Sequence, residues 1–229
     1  MSIAENLTSV RSSLAAACSA AGRNADSVRL VAVSKIQPLS AIDEALDAGQ
    51  LDFGENYAQE LRDKAAATTR PIRWHFIGSL QRNKVKYVVG KASLVHDVDN
   101  LALAEEIGKR SGSSPTGILL GVNIGEEPQK SGILPKDALE LAREMTRIPG
   151  ITLRGLMCIP PAAEDPEATA PWFAAMADLA ARGRADGLPL EELSMGMSHD
   201  FMVAIRHGAT LVRVGTAIFG ARPPKVIAG

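Results

Sequence analysis

Only two cysteines, Cys18 and Cys158, occur in 229 residues, and they stand far apart. Their scarcity excludes a disulfide framework and a thiol pair spaced for a metal, and it points to a reducing, cytoplasmic setting. The four histidines are scattered without ligand spacing, so no metal site is expected. Charge of one sign is not in excess. A formal net charge of −1 argues against a surface built for nucleic acid. No apolar stretch approaches the ~20 residues that span a bilayer. Glu5 and Arg11 interrupt the first apolar positions, so no signal peptide is expected either. Long linkers and low-complexity tracts are missing too, which predicts one domain over residues 1–229. With 46% hydrophobic residues, the chain has ample material for a sizeable core.

What is present begins with Val28-Arg29-Leu30-Val31-Ala32-Val33-Ser34-Lys35. A continuous, β-branched run of this length reads as a strand covered on both faces, as in parallel sheets under helices. Alternation puts Val31, Val33 and Lys35 on one face and Leu30, Ala32 and Ser34 on the other. A desolvated lysine amine is a nucleophile towards carbonyl compounds. Taken alone, the same pattern also fits a solvated lysine closing a strand.

The remaining chain repeats one rhythm. Ile3, Leu7, Val10, Leu14, Cys18 and Ala21 mark one face of an N-terminal helix closed by Gly22. Strands are predicted at 28–34, 51–54, 72–77, 93–98, 116–124, 151–159, 193–198 and 210–214. Helical segments lie between them, that at 166–184 being the longest and one covering 81–90. Strand seven is read as glycine-broken at Gly196. Eight strands alternating with helices predict an α/β fold, a (β/α)8 TIM-type barrel with an extra N-terminal helix. A doubly wound sheet is the rival, but the first turn, Ser-Lys-Ile-Gln-Pro, lacks the glycines that such a fold places there.

In a barrel, function sits at the C-terminal strand ends. Those ends here carry Lys35, Asn56, His75, Asn123, Met157, Ser194 to Ser198 and Arg213 to Thr216. Loops seven and eight form the usual phosphate site of barrels, where Gly215 permits close backbone approach and Thr216 and Ser194 offer hydroxyls. Ser198 fits equally the N-cap of the next helix. Arg213 shares a face with Leu211 and Gly215, so an inward-facing strand would place its guanidinium at the barrel mouth. A nucleophilic lysine, a phosphate cradle and a fixed cation together suit a phosphorylated aldehyde such as pyridoxal 5′-phosphate, PLP. A Schiff-base aldolase acting on a phosphosugar would use the same lysine without a cofactor.

Ala32-Val33-Ser34-Lys35, Phe53-Gly54-Glu55-Asn56-Tyr57 and the run from Trp74 to Lys84 resemble the PLP homeostasis protein family. Lys130-Ser131-Gly132, Arg154-Gly155-Leu156-Met157, the run Leu193 to Ser198 and the run Arg213 to Gly220 carry the same resemblance, which covers nearly the whole chain. It implies a barrel similar to the N-terminal domain of alanine racemase, with PLP held on Lys35. Arg213 would then face the pyridine nitrogen, and Ser194, Gly215 and Thr216 would hold the phosphate. Asn56 and His75 would lie near the ring, and Met157 would be a packing contact. The family acts in vitamin B6 homeostasis without an assigned reaction, so no catalytic residue is expected.

An arginine only donates hydrogen bonds and so does not keep the pyridine nitrogen protonated, as an acidic partner would; the ring would then be a poorer electron sink. Alanine racemase has an arginine there too, but draws a second base from a further domain, and Tyr57 and Tyr87 are the only tyrosines here. A cytoplasmic, monomeric PLP carrier or buffer is therefore expected, with PLP-dependent apo-enzymes as its partners and a weak amino-acid racemase as the alternative. Arg82, Lys84, Lys86 and Lys91 form a basic stretch that reads as a solvated helix face.

Overall fold

The computed structural model describes residues 1–220 and contains a closed barrel of eight parallel strands in sequence order. The strands are β1 (Arg29–Val33), β2 (Asp52–Glu55), β3 (Arg73–Phe76), β4 (Ala92–Val98), β5 (Thr116–Val122), β6 (Ile151–Cys158), β7 (Glu192–Met197) and β8 (Leu211–Val214). Closure is made where β1 pairs with β8, setting Val31 opposite Arg213. Helices α1 (Ile3–Ala20), α2 (Leu39–Asp47), α3 (Ala58–Ala66), α4 (Val85–Val88), α5 (Leu101–Arg110), α6 (Ala138–Met145), α7 (Ala170–Ala185), α8 (Phe201–Arg206) and α9 (Thr216–Phe219) complete the alternation.

The expected face of the first helix is the one that packs. Leu7, Val10, Leu14 and Cys18 of α1 are buried, and the helix packs against α2, α8 and α9. Its start is fixed by a capping box, in which Ser2 Oγ accepts the Glu5 N–H and the Glu5 carboxylate accepts the Ser2 N–H at 2.7 Å.

Two cores result from the two faces of the strands. The larger lies between sheet and helices and includes Leu30 and Ala32 of β1. The smaller, inside the barrel, consists of Val31, Leu94, Leu119, Met157 and Leu211. Residues paired in register on parallel strands share a face. Gly54, His75 and Leu94 therefore line one level of the interior, and Met157, Ser194 and Leu211 another. Branched apolar residues fill most such barrels; here Asp52, His75, His96, Ser194 and Arg213 occupy interior space, each at most 5% exposed.

Three details depart from the sequence reading. The longest helix is α1 with 18 residues, not the segment at 166–184, where a separate 3₁₀ turn, Pro166–Thr169, precedes the 16-residue α7. Residues 82–88 form a 3₁₀ turn and a single α-helical turn, because Val85, Val88 and Val89 crowd a helix and Gly90 takes a positive φ. β7 runs unbroken through Gly196, whose missing side chain serves packing instead. A Cβ there would lie 2.6 Å from the Ala204 Cβ and 2.9 Å from the Phe201 Cα, so glycine lets α8 close onto the strand.

Candidate functional site

At the C-terminal mouth of the barrel a cavity of about 250 Å³ opens over the seam between β1 and β8. Of the sequence-predicted residues, Lys35, Asn56, Arg213, Gly215 and Thr216 line it. Ser198 and His199 from the loop after β7, with Ile77 and Ile159, complete the walls.

Lys35 is half-buried and stands just past β1, on a turn closed by the Gln37 N–H donating to the Ser34 carbonyl at 3.0 Å. Ile36 within that turn has φ +66°, a left-handed conformation that a β-branched side chain disfavours. The turn is braced from below. Ile36 N–H donates to Glu60 Oε1 at 2.6 Å, and the Lys64 ammonium donates to the Ser34 carbonyl, Glu55 and Glu60. Ser34 Oγ donates to Glu55 at 2.6 Å. Burial pushes the Glu55 carboxyl up from its ordinary value, against the pull of Lys64.

Asn56 follows β2, and its Oδ1 is buried without a hydrogen-bond partner, an acceptor aimed at no protein donor. Gly78 allows this arrangement, because a Cβ there would sit 2.3 Å from the Asn56 carbonyl.

On the other side, Gly215 donates its N–H to Ser198 Oγ at 3.2 Å, which ties loop seven to loop eight. A Cβ at Gly215 would come within 3.3 Å of the Val33 Cβ, so the backbone sits close to β1. Thr216 is exposed and opens α9, a single turn whose first N–H groups have no intrahelical acceptor. Arg213 is 4% exposed at the cavity floor. Its Nη1 donates to Ser194 Oγ at 2.5 Å and its Nη2 to the Cys158 carbonyl at 3.0 Å. Burial lowers Arg213 from its usual value, while the Cys158 thiol beside it is pushed up to about 12 and stays an unreactive thiol.

Three predicted residues do not reach the cavity wall. Ser194 is fully buried beneath Arg213, so its hydroxyl meets the guanidinium and His96 rather than the loop where a phosphate was expected. His75 is buried inside the barrel, bonded to His96 at 2.9 Å and to Asp52 at 3.0 Å. Met157 packs in the inner core and faces a neighbouring cavity of about 280 Å³. That second cavity, sharing Ile159 with the first, holds Lys130, Ser131 and Asp97. Burial and the nearby Asp99 push Asp97 up to about 6.

Sequence reasoning did not find Glu55, Glu60, Lys64, His96 or Asp52 as parts of the site, and it left Ser198 between two roles. Glu55 lies inside a motif already singled out; the others carry no local signal. In the basic stretch, Lys84 and Lys86 share the face of Tyr87 with Arg62, their cations 5.8, 5.1 and 4.8 Å from the ring centre. Among the described residues no helix is long and apolar enough to cross a membrane, and no cluster of three or more potential ligands could hold a metal ion. The cavity joins an amine, a guanidinium, two hydroxyls and backbone N–H groups, a set suited to an anionic carbonyl compound.

Comparison with known proteins agrees with this architecture. The family profile of the alanine racemase N-terminal domain matches residues 6–223. A pyridoxal phosphate homeostasis protein of Pseudomonas aeruginosa is 43% identical over 223 residues, covering 96% of each chain. One from Aquifex aeolicus is 41% identical over 226 residues, covering 97% of this chain and 99% of its own. The structure of PipY from Synechococcus elongatus, solved with PLP bound, superposes with a TM-score of 0.83 at 38% identity, over 95% of this chain and 100% of that one.

Proposed function

Because the chain belongs to the alanine racemase N-terminal domain family, and within it to the pyridoxal phosphate homeostasis proteins, we propose that it binds PLP and carries or buffers it. The observation that carries this reading is that Lys35 and Arg213 share one cavity with the Gly215–Thr216 turn. Lys35 would hold the cofactor as a Schiff base, and Asn56 would lie beside the ring. Gly215 and Thr216 would hold the phosphate, with Ser198 taking the place first given to Ser194. The Gly215 backbone lying close to β1 and the N–H groups that open α9 fit a bound phosphate.

PLP, when bound, supplies an aldehyde that condenses with amines and a ring that withdraws electrons. The chain's own contribution is to hold and orient it. Arg213 only donates hydrogen bonds and stays charged, so it would accept none from a protonated ring nitrogen and would favour the neutral, less electron-withdrawing ring. Among the described residues no carboxylate lines the cavity to accept that hydrogen bond. This favours reversible holding over turnover. The acceptors would be apo-enzymes that use PLP, and the carrier would be a monomeric, single-domain cytoplasmic protein whose two buried thiols need no oxidising compartment.

The test is reduction with borohydride of the purified protein loaded with PLP, followed by peptide mass spectrometry. The added mass is expected on the peptide containing Lys35 and is expected to vanish in Lys35→Ala. Absence of the added mass on that peptide would overturn the reading, and sustained turnover of amino acids by the loaded protein would replace the carrier with a weak racemase.

A further inference from the structure

Inside the barrel, a single file of hydrogen bonds runs from the floor of the cavity to the opposite rim. Arg213 Nη1 donates to Ser194 Oγ at 2.5 Å, and Ser194 Oγ lies 2.8 Å from His96 Nδ1. His96 Nε2 lies 2.9 Å from His75 Nδ1, and His75 Nε2 lies 3.0 Å from Asp52 Oδ1. Asp52 then accepts two bonds from Arg73, at 2.9 and 2.6 Å. Ser194 and His96 are fully buried and His75 is 1% exposed, in an interior where apolar residues would be the simpler filling.

With both imidazoles neutral, the two ends fix the direction of every proton between them. Arg213 only donates, so Ser194 Oγ is an acceptor there. Burial alone would raise Asp52, but the hydrogen bonds of Arg73 and His75 and the charge of Arg73 override it and hold the carboxyl well below its ordinary range, so it only accepts. A neutral imidazole has one donor and one acceptor nitrogen. His75 therefore donates through Nε2 to Asp52, and its Nδ1 accepts from His96 Nε2–H. His96 Nδ1 in turn accepts the Ser194 hydroxyl proton. Every bond is then filled. Burial, above all, pulls His96 well below its ordinary value, consistent with a neutral ring.

We infer that His96, acting through Ser194, is a positioning residue for Arg213, and that the file ending at His75 and Asp52 sets the geometry of the cation offered to the ligand. This deepens the PLP reading, since it makes the aim of Arg213 at the ring nitrogen depend on residues from four other strands. A serine hydroxyl can turn freely; with its proton committed to His96, its lone pairs are held towards the guanidinium. Arg213 thereby keeps one orientation in a cavity whose other walls are loops.

The test uses the full chain in two arms. In ligand-free protein labelled with ¹⁵N-histidine, His75 and His96 should both carry the proton on Nε2, and Ser194→Ala should shift the His96 Nδ1 resonance. In the second arm, PLP affinity and the absorbance band of bound PLP are compared among variants. His96→Leu should weaken binding about tenfold or more and shift the band, the scale of losing a hydrogen bond to a charged group. His96→Asn, which restores an acceptor near the Nδ1 position, should recover most of the affinity. A folded His96→Leu with wild-type affinity and band would overturn the inference. So would an Nδ1–H tautomer at His96, which decides the matter even where His96→Leu does not fold. Wild-type protein that takes up no PLP would instead overturn the ligand reading, leaving the resonance arm to judge the file by itself.

Discussion

The Lys64 ammonium lies 2.8 Å from the Glu55 carboxylate and 2.8 Å from the carbonyl of Ser34, the residue before Lys35. One cation thus neutralises a buried acid and pins the turn that presents the proposed tether. Lys64→Met leaves Glu55 without its counter-charge, at a cost of about 3–5 kcal/mol. Glu55 is already raised by burial, so the folded state holds its proton more tightly than the unfolded one, and stability falls as pH rises above the ordinary carboxylate range. Denaturant titrations at pH 4.5 and pH 8 should therefore show the larger loss at pH 8. Equal losses would mean that Lys64 acts only through its bond to Ser34.

Asp97 offers a second pH test. Its carboxyl, pushed up to about 6 from an ordinary 3.8, favours the folded state only while protonated. Stability from this group is full below about pH 4 and is lost as pH rises through 6. Asp97→Asn should raise stability at pH 8 by roughly 1–3 kcal/mol and flatten the profile between pH 4 and 6. Thermal unfolding across that range measures it.

For the phosphate loops, the informative pair is Ser198 and Thr216. Ser198→Ala with Thr216→Ala should raise the dissociation constant for PLP about tenfold or more by removing two hydroxyl donors, with little change in melting temperature. Equilibrium dialysis against PLP reads the effect. Unaltered retention would leave the phosphate to backbone N–H groups alone.

Gly196→Ala tests the packing of α8. With φ +92° and Ala204 only 2.6 Å from the added methyl, the cost should be about 2–4 kcal/mol. Urea unfolding should show it, without a change in the slope of the transition.

The fold was largely legible because its signals are local and repeated. The α1 face, the β1 run and the count of strands each follow from periodicity, and alternation put Val31 and Arg213 inside. Depth was not legible. His75 was expected near the ring, but nothing in Trp74-His75-Phe76 says that its imidazole turns to His96 and Asp52 inside the barrel. Ser194 was expected at the cavity, where Ser198 stands instead, for a similar reason. The pairing of β7 with β8 shifts register between Ser194 and Met197, so counting by twos does not carry through to the loop. His96 and Asp52 gained meaning only when strands far apart in sequence met in the interior.

The seam where β1 meets β8 gives ligand binding a place in the order of synthesis. Val31 and Arg213 are register partners, so Lys35, the proposed tether, and Arg213 stand on either side of the β1–β8 seam and adjoin only once the barrel has closed. A nascent chain that has displayed Lys35 still lacks the other half of the site. Retention of ligand then reports a finished barrel, and the bound state draws the first and last strands together by mass action.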